Sequence, residues 1–420
     1  MRPNHADRSF TRRQWLSRTT VAGAICVSGC RNKTKRSAER SLFRVAGTSM
    51  NPTLWDESVL VRCRRCDIAT RVDAEVVRQS LSKENRVCWH CGFQDETAPE
   101  ILGRRPPDLM EVMTDPNAPV IPGDLVVLAS FSSTRSSDFH DHVHVKRVLA
   151  IGGQSVSVDP RGRLLIDHQL PAWDGTQTAD PSAITTTNPL RLPSASVLVN
   201  DTRSDCFPSG SPNDYPIRDD VLMHCRWRVD DEGYWTYTHH SVYRGNRPMK
   251  IMDDYPCNWH VERTLNPVDQ IVVTVDLNST THPWRKIRVK SQGWQLSDRD
   301  LAAQTLAIEP NQPTVRFNLN RVQHSEESAV IAFRFEGADR PTTSNKTEAP
   351  NLSRVRIERP LVYRVADRLP DLSTITLQDD EIFVVGDNVP LSLDSRQRGP
   401  VLRSALLGTV ADLRLASISH

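Results

Sequence analysis

The chain has 420 residues and a net charge of +2, with 53 basic against 51 acidic side chains. That balance excludes binding driven by bulk charge, whether to nucleic acid or through a polybasic membrane patch. The length exceeds one hydrophobic core, and 28 prolines in a chain that is 38% hydrophobic point to strands and loops rather than helical bundles.

Residues 1–29 read as a targeting segment. Arg12 and Arg13 precede Trp15, Leu16 and a weakly apolar run, and "VSGC" sets small residues before Cys30. The pattern resembles a twin-arginine signal joined to a lipoprotein cleavage site, with Cys30 as lipid acceptor and first mature residue. The apolar run is too short to span a bilayer and contains Arg18, so no permanent transmembrane helix is expected. A basic flexible tail is the plainer alternative. Residues 30–60 then hold a polar tether and the first part of a catalytic core.

Segment 61–97 carries "CRRC" and "CWHC", which place Cys63, Cys66, Cys88 and Cys91 in the spacing C-x2-C-x21-C-x2-C. Two such knuckles converge on one tetrahedral ion, which predicts a zinc ribbon with a structural Zn2+; four thiolates leave no open position for catalysis. Two disulfides are the alternative in an oxidising space. Among the other cysteines, Cys26 falls in the targeting segment. Cys206, Cys225 and Cys257 allow at most one disulfide.

The core is expected to resume over 98–170, where "DLVVLASF", "HVHVKRVLAI" and "QSVSVDPRGRLLIDHQL" alternate as strands and "DPRG" marks a hairpin turn. Alternation sends Arg147 to the face opposite Lys146, where it is expected to stay solvated while Lys146 faces a site. His140, His142 and His144 share the lysine's face, but residues along one extended strand rarely converge on one ion. Residues 171–200, rich in Thr, Pro, Ser and Ala, read as a linker. Runs such as "DQIVVTVDL" and "TVRFNLNRV" predict a β-sandwich-like insertion over 201–362. Residues 363–420 supply the last part of the core: a strand, a polar loop and a final strand. The fold class is mainly β: a core of coiled antiparallel sheets interrupted by a small zinc ribbon and a β-sandwich-like insertion.

"VAGTSMNPTLW" sets Ser49 on a bend between Gly47 and Pro52. A serine becomes a nucleophile only beside a base. An amine serves near pH 8 only if its pKa falls from the ordinary ~10.4, which burial achieves. Taken alone, Lys146 also suits a surface Lys–Arg pair on an edge strand. The boxes "GTSMNPTLW", "IPGDLVVL", "HVKRVLAIGG" and "VVGDNVPLSLDSRQRG", however, stand in the order found in type I signal peptidases. The chain resembles that family over residues 42–60, 120–170 and 378–412.

The resemblance implies that Ser49 attacks the scissile carbonyl and neutral Lys146 accepts its proton, with no cofactor in catalysis. It gives Ser392 the task of orienting the amine, makes Asp394 and Arg396 a supporting pair, and puts Gly386, Asp387 and Asn388 in the supporting loop. The substrates implied are signal peptides of exported pre-proteins, cut after small residues and bound as an added strand. The place implied is the outer face of a bacterial cell membrane, with a lipid on Cys30 and apolar contacts at the membrane surface replacing the family's usual helical anchor. Ser49 N–H is the first candidate oxyanion donor. Some relatives carry a second serine where this chain has Gly47, so only a main-chain donor or a water acts there. Met50, Leu54 and Trp55 read as an apolar lip at the membrane or as ordinary core. A competing reading is a non-catalytic envelope adaptor that binds partners through the zinc ribbon and sandwich. Another is a self-cleaving Ser-Lys repressor protease, which the export signal and the lack of a helix-turn-helix disfavour.

Overall fold

A computed structural model describes residues 39–414 except 65–68, 81–85, 89–93, 96–99, 116–117, 130–142, 172–195, 204–226, 231, 242–246, 256–257, 259–262, 278–283, 298–303, 310–311, 323–329, 338–351 and 366–373. Cys30, Cys66, Cys91, His140, His142, Cys206, Cys225 and Cys257 therefore lie outside the described residues. The described chain is mainly β, in antiparallel sheets. No helix among the described residues is long and apolar enough to cross a membrane.

Seven strands form the sheet that carries the candidate site, in the order Glu39–Arg44, Leu109–Thr114, Leu406–Arg414, Leu125–Leu128, His144–Ile151, Glu381–Val385 and Val401–Leu402. Leu125–Leu128 and Glu381–Val385, the two strands that flank His144–Ile151, are near-continuous apolar runs. That composition is what a strand needs when both of its faces are covered. In the lysine strand, His144–Ile151, Val148 packs with Val126, Ile382 and Val384, while Leu149 packs with Phe383, Val385 and Val156. Its neighbours fix the register: Lys146 pairs with Val126, and Arg147 with Leu125 and Val385.

The cover on one face comes from the insertion. Val197, Tyr255, Leu361 and Tyr363 join Leu149, Phe383 and Val385 in a single apolar cluster. Beyond this root the insertion is two five-stranded sheets. One runs in the order Ser196–Arg203, Leu352–Pro360, Gln270–Leu277, Thr314–Arg321 and Trp294–Leu296. The other runs Trp227–Val229, Trp235–Thr238, Val330–Gly337, Trp284–Gln292 and Thr305–Ala307. Inward residues at every second position, Val273, Val275, Phe317, Phe333 and Phe335 with Trp227 and Trp235, make one core between them. The first strand begins at Ser196, inside the segment expected to be a linker.

The segment around the cysteines is a three-stranded sheet, Ala69–Asp73, Ser58–Arg62 and Glu100–Arg105, with the helix Ala74–Ser80 packing Val77 against Val59 and Val72. Asp73 accepts the Glu75 N–H at 2.7 Å and so starts that helix. Arg62 pairs with Ala69, and in a separate two-stranded hairpin Val87 pairs with Gln94. Cys63 and Cys88 each follow directly on the first strand of a hairpin, at the start of the segments 63–68 and 88–93 that join the paired strands.

Candidate active site

Ser49 lies in a half-buried turn that Asp108 closes at both ends. Val45 N–H donates to Asp108 O at 2.9 Å, Asp108 N–H donates to Trp55 O at 2.9 Å, and Trp55 N–H donates to the Asp108 carboxylate at 2.9 Å. Within the turn, Met50 O accepts from Thr53 and Leu54 N–H, and the Asn51–Pro52 peptide is cis. Gly47 has φ of +79°, a left-handed conformation that costs glycine nothing, and its N–H donates to the Asp56 carboxylate at 2.8 Å. Met50, Leu54 and Trp55 are buried, Met50 and Leu54 against Val45, Met110 and Val127, and Trp55 in the cluster of Leu149 and Phe383. They are core, not an apolar lip.

Lys146 is brought to the loop 386–396 across 246 positions of sequence, and its Nζ donates to Ser392 Oγ at 3.0 Å. The amine is 2% exposed and its pKa is lowered from its ordinary 10.5 to about 8. Burial is the main cause; the Asp394 carboxylate opposes the shift, and the Arg396 charge adds to it.

Asp394 and Arg396 form a bidentate pair at 2.8 and 2.7 Å, both ends buried. Burial pushes the Asp394 carboxyl upward, but the Arg396 charge and hydrogen bond, the Gly386 N–H and Lys146 outweigh it and hold the group below the usual carboxylate range. The same carboxylate caps the short helix Ser395–Arg398 and accepts from Gly386 N–H at 2.9 Å. Arg396 also donates to Val389 O and Arg364 O at 2.9 Å each. One ion pair thereby pins the backbone at Gly386 and Val389 within the loop and ties the loop to Arg364 outside it.

The loop and the Ser49 turn meet at Gly386 and Asn388. Asn388 N–H donates to Ser49 O at 3.0 Å, and its side-chain amide donates to Thr48 O at 2.8 Å. A methyl group on Gly386 would lie 2.1 Å from Ser392 Oγ and 2.5 Å from Ser49 O. The backbone of Ser49, the Ser392 hydroxyl and the amine bonded to that hydroxyl thus gather around one glycine.

Arg147 departs from expectation. It is 2% exposed, and its Nε and Nη2 donate to the Asp387 carboxylate at 2.9 and 2.6 Å. Strand alternation does send it away from Lys146, but the insertion root covers that face, and a charge without solvent requires a counter-ion. Asp387 receives two further donors, Tyr363 OH at 2.7 Å and Thr53 Oγ1. Burial raises the Asp387 pKa, while the Arg147 charge and these hydrogen bonds prevail and keep it depressed. Burial, with Asp387 alongside, raises the Tyr363 phenol well above its ordinary value, so it remains a neutral donor. Thr53 ties the Ser49 turn to this pair. No sequence pattern marks either Thr53 or Tyr363 as part of a site. Thr53 falls within the first box, whereas Tyr363 has no local signal.

A family model described as signal peptidase, peptidase S26, matches residues 320–413. Over that stretch the chain is similar to signal peptidases. The match includes Gly386, Asp387, Asn388, Ser392, Asp394 and Arg396; Ser49 and Lys146 lie before it and reach the matched loop through the contacts above. No curated protein matches the chain.

Proposed function

We propose that the chain is a membrane-associated signal peptidase in which Ser49 is the acyl-transfer nucleophile and Lys146 its general base. The observation that carries this reading is the buried Lys146 amine, bonded to Ser392 and lowered to about 8, beside the loop that grips the Ser49 turn. Near that pH a large share of the amine is uncharged. One N–H directed at Ser392 Oγ leaves the lone pair to accept the Ser49 proton as the hydroxyl attacks the scissile carbonyl. Lys146 then returns the proton to the leaving amine, and a water deprotonated by the same nitrogen hydrolyses the ester. Ser49 N–H is the proposed oxyanion donor. The substrates are pre-proteins with small residues before the cut, and Cys30 carries the lipid that holds the enzyme at the outer membrane face after twin-arginine export.

The decisive experiment is cleavage of a pre-protein with Ala at −3 and −1, followed by mass spectrometry. Wild type is expected to release the signal peptide at one bond and Ser49→Ala to release none. Undiminished cleavage by Ser49→Ala rules the mechanism out.

We also propose that Cys63, Cys66, Cys88 and Cys91 hold one structural Zn2+. The residues fit: each C-x-x-C pair begins where a hairpin's first strand ends, in the segments 63–68 and 88–93, and four thiolates match a closed tetrahedral site. Metal analysis of purified protein is expected to give about one zinc per chain, lost in Cys63→Ser/Cys88→Ser. Four cysteines blocked to alkylation without reductant, with no zinc, would instead mean two disulfides.

A further inference from the structure

Asn258 links the insertion to the residue that holds the Ser49 turn. Asn258, in the insertion, forms a reciprocal amide pair with Asn388: its Nδ2 donates to Asn388 Oδ1, and Asn388 Nδ2 donates back to Asn258 Oδ1 at 3.2 Å. Both residues are buried. Asn258 is itself braced. Its N–H donates to Tyr255 O at 2.8 Å, the Tyr255 hydroxyl donates to Asp387 O at 3.4 Å, and the guanidinium of Arg359, on a sandwich strand, lies 4.8 Å from the Tyr255 ring centroid.

The Asn388 amide has two ends and must present the correct one. Its Nδ2 faces Thr48 O, and a flipped amide would set oxygen against oxygen there. The Thr48–Ser49 peptide is planar and trans, so its C=O and N–H point in opposite directions. Holding Thr48 O therefore aims the Ser49 N–H. Asn258 offers a donor to Asn388 Oδ1 and an acceptor to Asn388 Nδ2, and with Thr48 O fixing the Nδ2 side this pair holds the amide in the observed orientation.

We infer that the sandwich insertion is a working part of the active site and that Asn258 is a positioning residue, which locks the Asn388 amide and through it the direction of the Ser49 oxyanion donor. This rests on the proposed Ser49 and Lys146 chemistry. Tyr255, Asn258 and Tyr363 all come from the insertion or its root, so the insertion supplies hydrogen bonds to three groups of the 387–388 loop: the Asp387 carboxylate, the Asp387 carbonyl and the Asn388 amide.

The test compares wild type, Asn258→Leu, Asn258→Ser and a surface control in the sandwich, Lys290→Ala, in the pre-protein cleavage assay and in hydrogen exchange read by mass spectrometry. Loss of a complete oxyanion donor costs about 10²–10³-fold in kcat, and misdirection of one is expected to cost about tenfold. Asn258→Leu should therefore lower kcat about tenfold with KM within twofold, and exchange over residues 45–55 should rise while exchange over 144–151 stays as in wild type. Asn258→Ser, which is smaller and keeps a hydroxyl partner, should fall between; Lys290→Ala should match wild type. Wild-type kcat with unchanged exchange at 45–55, in whichever Asn258 variant folds, overturns the inference alone. A wild type that cleaves no pre-protein removes the function it rests on and the inference with it, and the two failures are told apart by the wild-type lane.

Discussion

Lys146→Met is expected to lower kcat/KM by at least about 10⁴-fold, the scale seen when one member of a nucleophile–base unit is removed. The folded protein at pH 7 should be no less stable than wild type. The fall in the Lys146 pKa from 10.5 to about 8 corresponds to about 3 kcal/mol against the charged amine. Between those two values the unfolded chain holds the proton and the folded one does not, so this residue's contribution to stability improves as pH rises through that window. Below pH 8 the full penalty applies. Methionine removes it at similar volume and gives up the bond to Ser392, worth about 1 kcal/mol. Thermal unfolding beside the cleavage assay checks both halves. A clear drop in the melting midpoint at pH 7 would mean that the charged amine stabilises the fold, contrary to a pKa lowered by burial.

Gly386→Ala is expected to inactivate for a different reason. The new methyl group would meet Ser392 Oγ at 2.1 Å, Ser392 Cβ at 2.5 Å and Ser49 O at 2.5 Å, and one of these is backbone. Something must move, and everything near enough to move belongs to the site. A displacement of about 1 Å costs about 10²-fold in rate, and overpacking of this kind costs about 1–3 kcal/mol of stability. Gly47→Ala is the informative contrast. Nothing lies within 4 Å of its added methyl, and its φ of +79° leaves only conformational strain, about 1–2 kcal/mol. Urea unfolding with kcat/KM should find both variants destabilised and only Gly386→Ala with the large rate loss. Equal rate losses would show that the turn's conformation matters more than the close approach.

What the sequence disclosed was mostly local. Alternation in "DQIVVTVDL" and "TVRFNLNRV" gave paired strands of the sandwich, because the residues that face its core, Ile271, Val273 and Val275 against Val315, Phe317 and Leu319, fall at every second position. Asp394 and Arg396 were legible through the resemblance, and their bond spans only two positions. Arg147 departs from expectation because alternation gives the face of a side chain but not what covers it; here the cover includes Tyr363, more than 200 positions on, with Val197 and Tyr255 from nearer parts of the insertion root. Asn258 and Tyr363 left no mark because a single hydrogen bond across a long separation imposes no pattern on its neighbours. Met50, Leu54 and Trp55 are apolar in either role, so their place in the core became visible only once the sheet beneath them was in view.

The central claim is that burial makes Lys146 a base that works near neutral pH, and the pH dependence of kcat/KM tests it most directly, since that quantity reports ionisations of the free enzyme. The expected profile rises tenfold per pH step on the acid side and levels off above a single ionisation at about 8. A flat profile from pH 6 to 10, or a limb near the lysine's ordinary 10.5, would contradict it.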